Sequence, residues 1–132
     1  MADQAAYNDG DEVVAGALYR RIYPSGNYFK PPPENRPTSL NFLPDTGEEY
    51  VSMFRAAETT PSEVLEGHEG FGLLEIDAEV LWALGKRVIY QPAYGKGHVG
   101  VRGFTKRDEQ ARRDAAFASR LLIRPTLPQQ HA

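Results

Sequence analysis

The chain has 132 residues, of which 41% are hydrophobic and 25% charged, values typical of one globular domain with a buried core. It contains no cysteine, which excludes disulfides, thiolate metal sites and cysteine nucleophiles. The N-terminal residues are acidic and polar, unlike a secretory signal, and no apolar run approaches the roughly 20 residues of a membrane helix. We therefore expect a cytoplasmic protein without a membrane partner.

The charges are unevenly distributed along the chain. Residues 1–85 contain 5 Lys and Arg against 15 Asp and Glu, a net charge of −10, whereas residues 86–132 contain 10 against 3, a net charge of +7. Such asymmetry can indicate a basic face that binds nucleic acid. Because the cations are interspersed with acids along one predicted helix, we favour mutual compensation of the two halves, within one fold or across a dimer. Nucleic-acid binding through the basic C-terminal half remains an alternative.

Composition divides the chain into three parts. Residues 1–16 read as an acidic flexible arm, residues 17–124 as a single α+β domain, and residues 125–132 as a flexible tail. The α+β prediction is a small, mostly antiparallel sheet with two short helices and a long C-terminal helix packed on it.

The first predicted strand, residues 17–23, carries two adjacent arginines. Alternation places Arg20 beside Leu18 and Ile22 on one face, and Arg21 on the other. One arginine must therefore point where apolar neighbours point, either at a solvated strand end or into a cleft.

The proline-rich residues 24–37 predict an extended loop, because proline removes backbone donors and restricts φ. Residues 38–43 alternate like a strand, and residues 44–47 have the composition of a turn. With residues 49–54 as the returning strand, this spacing predicts a hairpin.

Helix signals follow in the second half of the chain. Thr60-Pro61-Ser62-Glu63 is a capping box with proline at the first helical position, and Asp77 precedes a second helix. Strands are predicted at residues 71–76, 86–90 and 98–104. The longest helix is predicted at residues 106–123, before Pro125.

Residues 90–104 are the most chemically loaded segment, with four glycines, one histidine and two cations. They include G-x-G-x-x-G at residues 95–100. A dinucleotide fingerprint needs a helix after its glycines, but the residues that follow here read as a strand. We therefore reject a Rossmann site and expect no cofactor.

Six polar side chains form the candidate ligand-binding surface: Arg20, Arg21, Ser39, Lys96, His98 and Arg102. These residue types suit a phosphate- or carboxylate-bearing ligand. The 3 histidines lack metal-ligand spacing, so no metal site is predicted. No nucleophile elbow is present, and catalytic residues, and whether the protein is an enzyme, stay open.

The segments LYRRI, PTSLNF, EYVS, TTPSEVL, GFGL and GHVGVRG, spread over residues 18–104, resemble a family of short bacterial proteins of unknown activity. Several of its members also carry a proline and a histidine at the positions of Pro92 and His98. The resemblance implies an intact domain and assigns no chemistry. With it, our leading hypothesis is a non-catalytic binding or accessory module of a bacterial multi-protein system, whose partner is another protein or a small anionic ligand.

The order of arginine, serine and glutamate in this chain is also similar to that of ADP-ribosyltransferase-type folds, including the RES toxins. That resemblance implies that Arg20 or Arg21 holds the phosphates of NAD. It further implies Ser39 as the serine and Glu75 or Glu79 as the glutamate that orients the ribose. A nucleotide-using transferase or toxin is accordingly the alternative function.

Overall fold

Residues 6–128, the part of the chain that the computed structural model describes, contain eight strands and three α-helices. The strands are β1 Ala17–Ile22, β2 Phe29–Lys30, β3 Arg36–Pro37, β4 Tyr50–Arg55, β5 Gly72–Asp77, β6 Arg87–Tyr90, β7 His98–Arg102 and β8 Arg120–Ile123. The helices are α1 Pro61–Leu65, α2 Ala78–Ala83 and α3 Glu109–Ala118, with 3-10 helices at Ser39–Phe42 and Pro92–Tyr94. The α+β prediction is confirmed.

Six of these strands form one antiparallel sheet in the order β6-β7-β4-β1-β5-β8, and β2 pairs with β3 in a separate ribbon. The strand with the two arginines, β1, is therefore central, between β4 and β5. In the β4–β7 register, Phe54 lies opposite His98 and Ser52 opposite Gly100. This pairing brings the glycine-rich segment next to β4.

One face of the sheet covers the hydrophobic core. Alternate residues of each strand point to it, as the period of two requires, and Leu18, Ile22, Val51 and Met53 are fully buried there. The Ser39–Phe42 helix and α3 pack on each other on this side, and the rings of Phe42 and Phe104 approach to 5.7 Å. The opposite face is covered only in part, by α1 and by the loop after β6.

The predicted hairpin of residues 38–54 is wrong in its first strand. Residues 39–42 form a 3-10 helix, and only β4 belongs to the sheet. The reason is local polar bonding: the buried Asn41 amide donates to the carbonyls of Tyr28 (2.7 Å) and Thr38 (3.0 Å). These bonds turn the chain back on itself and still bury Phe42.

The last helix is shorter than predicted. It ends at Ala118, where extended Ser119 (ψ 156°) donates its hydroxyl to the Ala116 carbonyl at 2.7 Å. Residues 120–123 then form β8 at the free edge of β5, with Leu121 opposite Leu74. The open edge of β5 offers a full set of hydrogen-bonding partners, and this outweighs the helical pattern of the residues.

Both ends of the described chain contact the domain. In the predicted arm, Val13 is fully buried, Glu12 forms a bridge to Ile89, and Trp82 Nε1 donates to the Val13 carbonyl at 2.7 Å. In the predicted tail, Thr126 N donates to the Gly70 carbonyl at 2.8 Å. Residues 7–13 thus protect the β6 edge. Residues 1–5 and 129–132, where the arm and tail predictions also fall, lie outside the described residues.

Ion pairs join the acidic and basic halves of the sequence. Among the described residues, four connect a cation of residues 86–132 with an acid of residues 1–85: Arg87–Glu12, Lys96–Glu63, Arg102–Glu49 and Arg120–Glu75. This is the compensation within one fold that the charge pattern favours. None of the helices in residues 6–128 has the length and apolarity needed to span a membrane.

Candidate functional site

A cavity of about 350 Å³ lies on the sheet face opposite the core. Its lining residues come from β1, β4, α1, β7 and the two loops beside them. Those used below are Arg21, Ser52, Phe54, Thr59, Glu63, Tyr94, Lys96 and His98. The cavity thus combines cations, hydroxyls and aromatic rings.

The two adjacent arginines of β1 point to opposite faces. Arg20 is buried on the core side, where Nε donates to the Asn41 carbonyl (3.0 Å) and Nη1 to the Ser52 carbonyl (3.1 Å). Asp45 lies 3.7 Å from its Nη2. Burial is the main cause that lowers the pKa of Arg20, and Asp45 opposes it. Arg20 is therefore bonded within the fold, and only Arg21 reaches the cavity.

Arg21 is half-buried at the cavity wall. Its Nε donates to the Val64 carbonyl in α1 at 2.6 Å, and its guanidinium lies 4.8 Å from the centroid of the Phe54 ring. Within residues 6–128 it forms no ion pair with a carboxylate. Burial, and then the charge of Arg20, lower the pKa of Arg21. The site therefore contains a partly desolvated cation that forms no ion pair with a carboxylate of the described residues.

His98 lies deeper, 5% exposed, between three aromatic rings. Phe54 and Tyr50 contact it edge-on at 5.3 Å and 6.1 Å, and Tyr94 lies tilted at 5.6 Å. Burial, and then the charge of Arg21, lower the pKa of His98 to about 4. Its Nδ1 is buried without a hydrogen-bond partner in the described structure. At neutral pH this ring is therefore an uncharged hydrogen-bonding group.

The rim of the cavity is closed by an ion pair. Lys96 Nζ lies 3.1 Å from Glu63 Oε2, and the hydrogen bond from Lys96 is the main cause that lowers the pKa of Glu63. The capping prediction for α1 is confirmed, since Thr60 Oγ1 accepts from Glu63 N at 3.2 Å. The capped helix start positions Glu63 opposite Lys96. Both side chains are exposed, so a ligand anion can compete for Lys96.

Two of the three glycines of residues 95–100 have structural explanations. Gly97 has φ +73°, a conformation that favours glycine, and a Cβ there would lie 3.1 Å from Thr59 Cγ2. A Cβ on Gly100 would lie 2.7 Å from Oε1 of the buried Gln91. Gly100 thus leaves room for a side chain of this domain. The β7 strand that follows contains no helix start for a dinucleotide phosphate, as the sequence indicates.

The structure unites half of the predicted ligand surface. Arg21, Lys96 and His98 line one cavity, whereas Ser39 lies in a different cavity on the core side. Arg102 shares the outer face with His98 but lies at the far end of β7, 3.7 Å from Glu49. The predicted surface therefore separates because strand alternation and the 3-10 helix direct its members to different sides.

Of the residues that the ADP-ribosyltransferase resemblance maps, Arg21 lines this cavity, whereas the mapped serine and glutamates do not. Glu75 binds Arg120 at 2.5 Å on the neighbouring part of the sheet, and Glu79 belongs to α2. The serine that lines the cavity with Arg21 is Ser52, whereas the sequence had predicted Ser39 for this role. The alternation in residues 49–54, with Ser52 and Phe54 on one face, is the signal that identifies it.

The cavity presents cationic groups, hydroxyls and aromatic rings, and its hydroxyls show whether a nucleophile is activated there. The Thr59 hydroxyl donates to the Arg55 carbonyl at 3.0 Å, and neither it nor Ser52 is hydrogen-bonded to His98. A serine–histidine or threonine–histidine pair is thus not assembled among the described residues that line this cavity. In the same described range, no group of three His, Asp or Glu side chains could hold a metal ion.

Comparison of the chain with protein-family models, with curated protein sequences and with solved structures gave no match.

Proposed function

We propose that this domain is a binding module for a small anionic ligand, phosphate- or carboxylate-bearing, which occupies the cavity lined by Arg21 and His98. One observation carries the proposal: Arg21 is a half-buried cation at a cavity wall without a carboxylate partner among the described residues. Proteins seldom leave a partly buried charge unbalanced, because desolvation without pairing is unfavourable. A ligand anion would supply the missing charge.

The rest of the lining supports the same ligand class. Lys96 and Glu63 balance each other, so the lining has one uncompensated positive charge, that of Arg21. The guanidinium has free nitrogens beyond its Nε bond and suits a bidentate contact with a phosphate or carboxylate. His98 and Ser52 add hydrogen-bonding groups, and Tyr94, 67% exposed, adds a ring at the mouth.

The cavity size favours a small ligand. Its volume of about 350 Å³ lies near the lower end of ligand pockets, which range from roughly 300 to 1,000 Å³. A phosphate or carboxylate with one ring or a short chain fits this space better than a whole dinucleotide. A binding or accessory role within a bacterial multi-protein system, the leading hypothesis from the sequence, is compatible with a site of this kind.

The test is calorimetric titration and thermal shift with inorganic phosphate, pyrophosphate, citrate, AMP and NAD. We expect at least one small anion to raise the melting temperature, because a ligand of the native state stabilises it. Arg21→Gln should lower the affinity for that ligand by at least about 10-fold, which corresponds to the loss of one charge-assisted hydrogen bond. Arg102→Gln is the matched control, since it removes one charge from the same sheet face outside the cavity.

Two results would replace the proposal. Equal loss of affinity in both variants would show that net charge, and no built site, attracts the anion. NAD consumption that Arg21→Gln abolishes would instead support the transferase alternative. That alternative would then use Arg21, Ser52 and Glu63, the arginine, serine and glutamate that line this cavity together.

A further inference from the structure

A second, larger cavity of about 540 Å³ lies on the other side of the molecule. It is bounded by the β2–β3 ribbon, the start of the Ser39–Phe42 helix and the outward side of α3. The residues that matter here are Asn27, Lys30, Arg36, Ser39, Arg113 and Phe117. None of them lines the cavity of Arg21, so this surface is separate from the proposed anion site.

Phe117 is the most exposed large apolar side chain of the described residues, at 72%. It projects from α3 into the cavity, and the Arg36 guanidinium lies 4.7 Å from its ring centroid. Burying the ring would be favourable by the usual hydrophobic measure, yet the fold leaves it outside. A flat aromatic surface with a stacked guanidinium is therefore presented to solvent.

The charges around the ring are mostly unbalanced. Lys30 and Arg36, on β2 and β3, have no carboxylate partner in residues 6–128, whereas Arg113 pairs with Glu109 of its own helix. Elsewhere in the described chain, Arg87 and Arg120 of the basic half pair with Glu12 and Glu75 of the acidic half. The cavity is therefore a local positive surface on a protein whose net charge is −3.

We propose that this cavity binds single-stranded nucleic acid, with one base stacked on Phe117 and adjacent phosphates at Lys30, Arg36 and Arg113. Stacking platforms surrounded by cations are the general means of binding such strands, because every base offers a π-face and every nucleotide a phosphate. The cations come from three different elements and so can contact successive phosphates. Ser39 and Asn27 add polar groups for the base or sugar.

An acidic protein segment would satisfy the cations equally well. It would leave the Phe117 ring without a planar partner, and for this reason nucleic acid is the favoured occupant. The site also differs from nucleic-acid binding through the basic half alone, because Lys30 and Arg36 belong to the acidic half of the chain.

Fluorescence anisotropy with labelled ten-nucleotide oligo(dT) and oligo(rU) tests the proposal, with a duplex of the same length and polyglutamate as further probes. Phe117→Ala should lower the affinity for the single strands by at least about 5-fold, because it removes the stacking of a base on an aromatic side chain. With three phosphates contacted, log K should fall against log salt with a slope of about −2, and Arg36→Gln should reduce the slope by about 0.7.

The exposed position of Phe117 means that its replacement should leave the melting temperature unchanged, which makes a negative result interpretable. Leu122→Ala is the apolar control outside the cavity, and Arg87→Gln is the charge control. Equal binding by Phe117→Ala and the wild type would overturn the proposal, as would preferential binding of the duplex or of polyglutamate. Arg21→Gln should leave strand binding intact, which separates this result from the fate of the anion site.

Discussion

Arg20 and Arg21 are neighbours in the sequence and have opposite fates on the two faces of the sheet. Arg20 lies among core residues, and two backbone carbonyls together with Asp45 satisfy its guanidinium. Arg21 lies at the wall of a cavity, where it donates one hydrogen bond to the Val64 carbonyl and has no carboxylate partner in the described chain. The same residue type is therefore fully bonded within the fold on one face and only partly bonded on the other, where we propose that a ligand binds.

The two arginines differ in how completely the fold satisfies their guanidinium groups. Burial alone does not distinguish them, because burial lowers the pKa of both groups. Satisfaction of the guanidinium does: the core face supplies acceptors for Arg20, whereas the cavity leaves part of Arg21 without them. Substitutions of the two arginines and of their neighbours should therefore differ in their effects on stability and on anion affinity.

The largest effect is expected at Arg20. Replacement with methionine keeps much of the side-chain volume but leaves the Asn41 and Ser52 carbonyls without their donor and Asp45 without its cation. We expect a loss of about 3 kcal/mol in the free energy of unfolding, measured by urea denaturation. A loss of unfolding free energy below about 1 kcal/mol would mean that the bonds of Arg20 to the Asn41 and Ser52 carbonyls contribute little to the fold.

The next effect is the pH dependence caused by His98. Its pKa is about 4 in the folded state and about 6.5 when unfolded, so between these values only the unfolded chain binds the proton. This contribution to stability is complete above pH 6.5 and is lost as the pH falls to about 4. Allowing for solvent screening in the open cavity, we expect about 2 kcal/mol.

The difference in unfolding free energy between the wild type and His98→Gln, measured from pH 7 to pH 4, isolates this effect from the carboxylates. The difference should change across that window in the direction that weakens the wild type at low pH. A constant difference would show that the imidazole is not desolvated by Phe54, Tyr50 and Tyr94.

A smaller effect on stability is expected for Arg21→Gln. This change removes the hydrogen bond to Val64 and the contact with Phe54, and it also removes an unbalanced charge. We expect a change of about 1 kcal/mol or less in the free energy of unfolding, together with the loss of anion affinity described above. A destabilisation as large as that of Arg20→Met would show that Arg21, like Arg20, serves mainly to stabilise the fold.

The smallest effect is expected for Arg102→Gln. Its contact with Glu49 is 3.7 Å long and largely exposed, and such surface pairs contribute roughly 0–1 kcal/mol. The melting temperature and the anion affinity should both stay close to those of the wild type. A clear loss of affinity would extend the site along β7 and would restore Arg102 to the ligand surface predicted from sequence.

Several local features of this protein could be predicted from the sequence. The alternation in residues 17–23 correctly placed the two arginines on opposite faces, and the Thr60 capping box correctly located the start of α1. The glycine-rich segment ran into a strand, as its valines indicated. These features depend on neighbouring residues and on intrinsic backbone preferences, which the sequence contains directly.

Only the tertiary structure decided which distant groups meet. The pairing of β4 with β7 brought Ser52 and Phe54 to His98, and the local hydrogen bonds of Asn41 turned Ser39 to the other side. The open edge of β5 converted the predicted end of the last helix into β8. Long-range pairing and competition for hydrogen bonds between elements determine these outcomes, and neither is encoded in the period of a single segment.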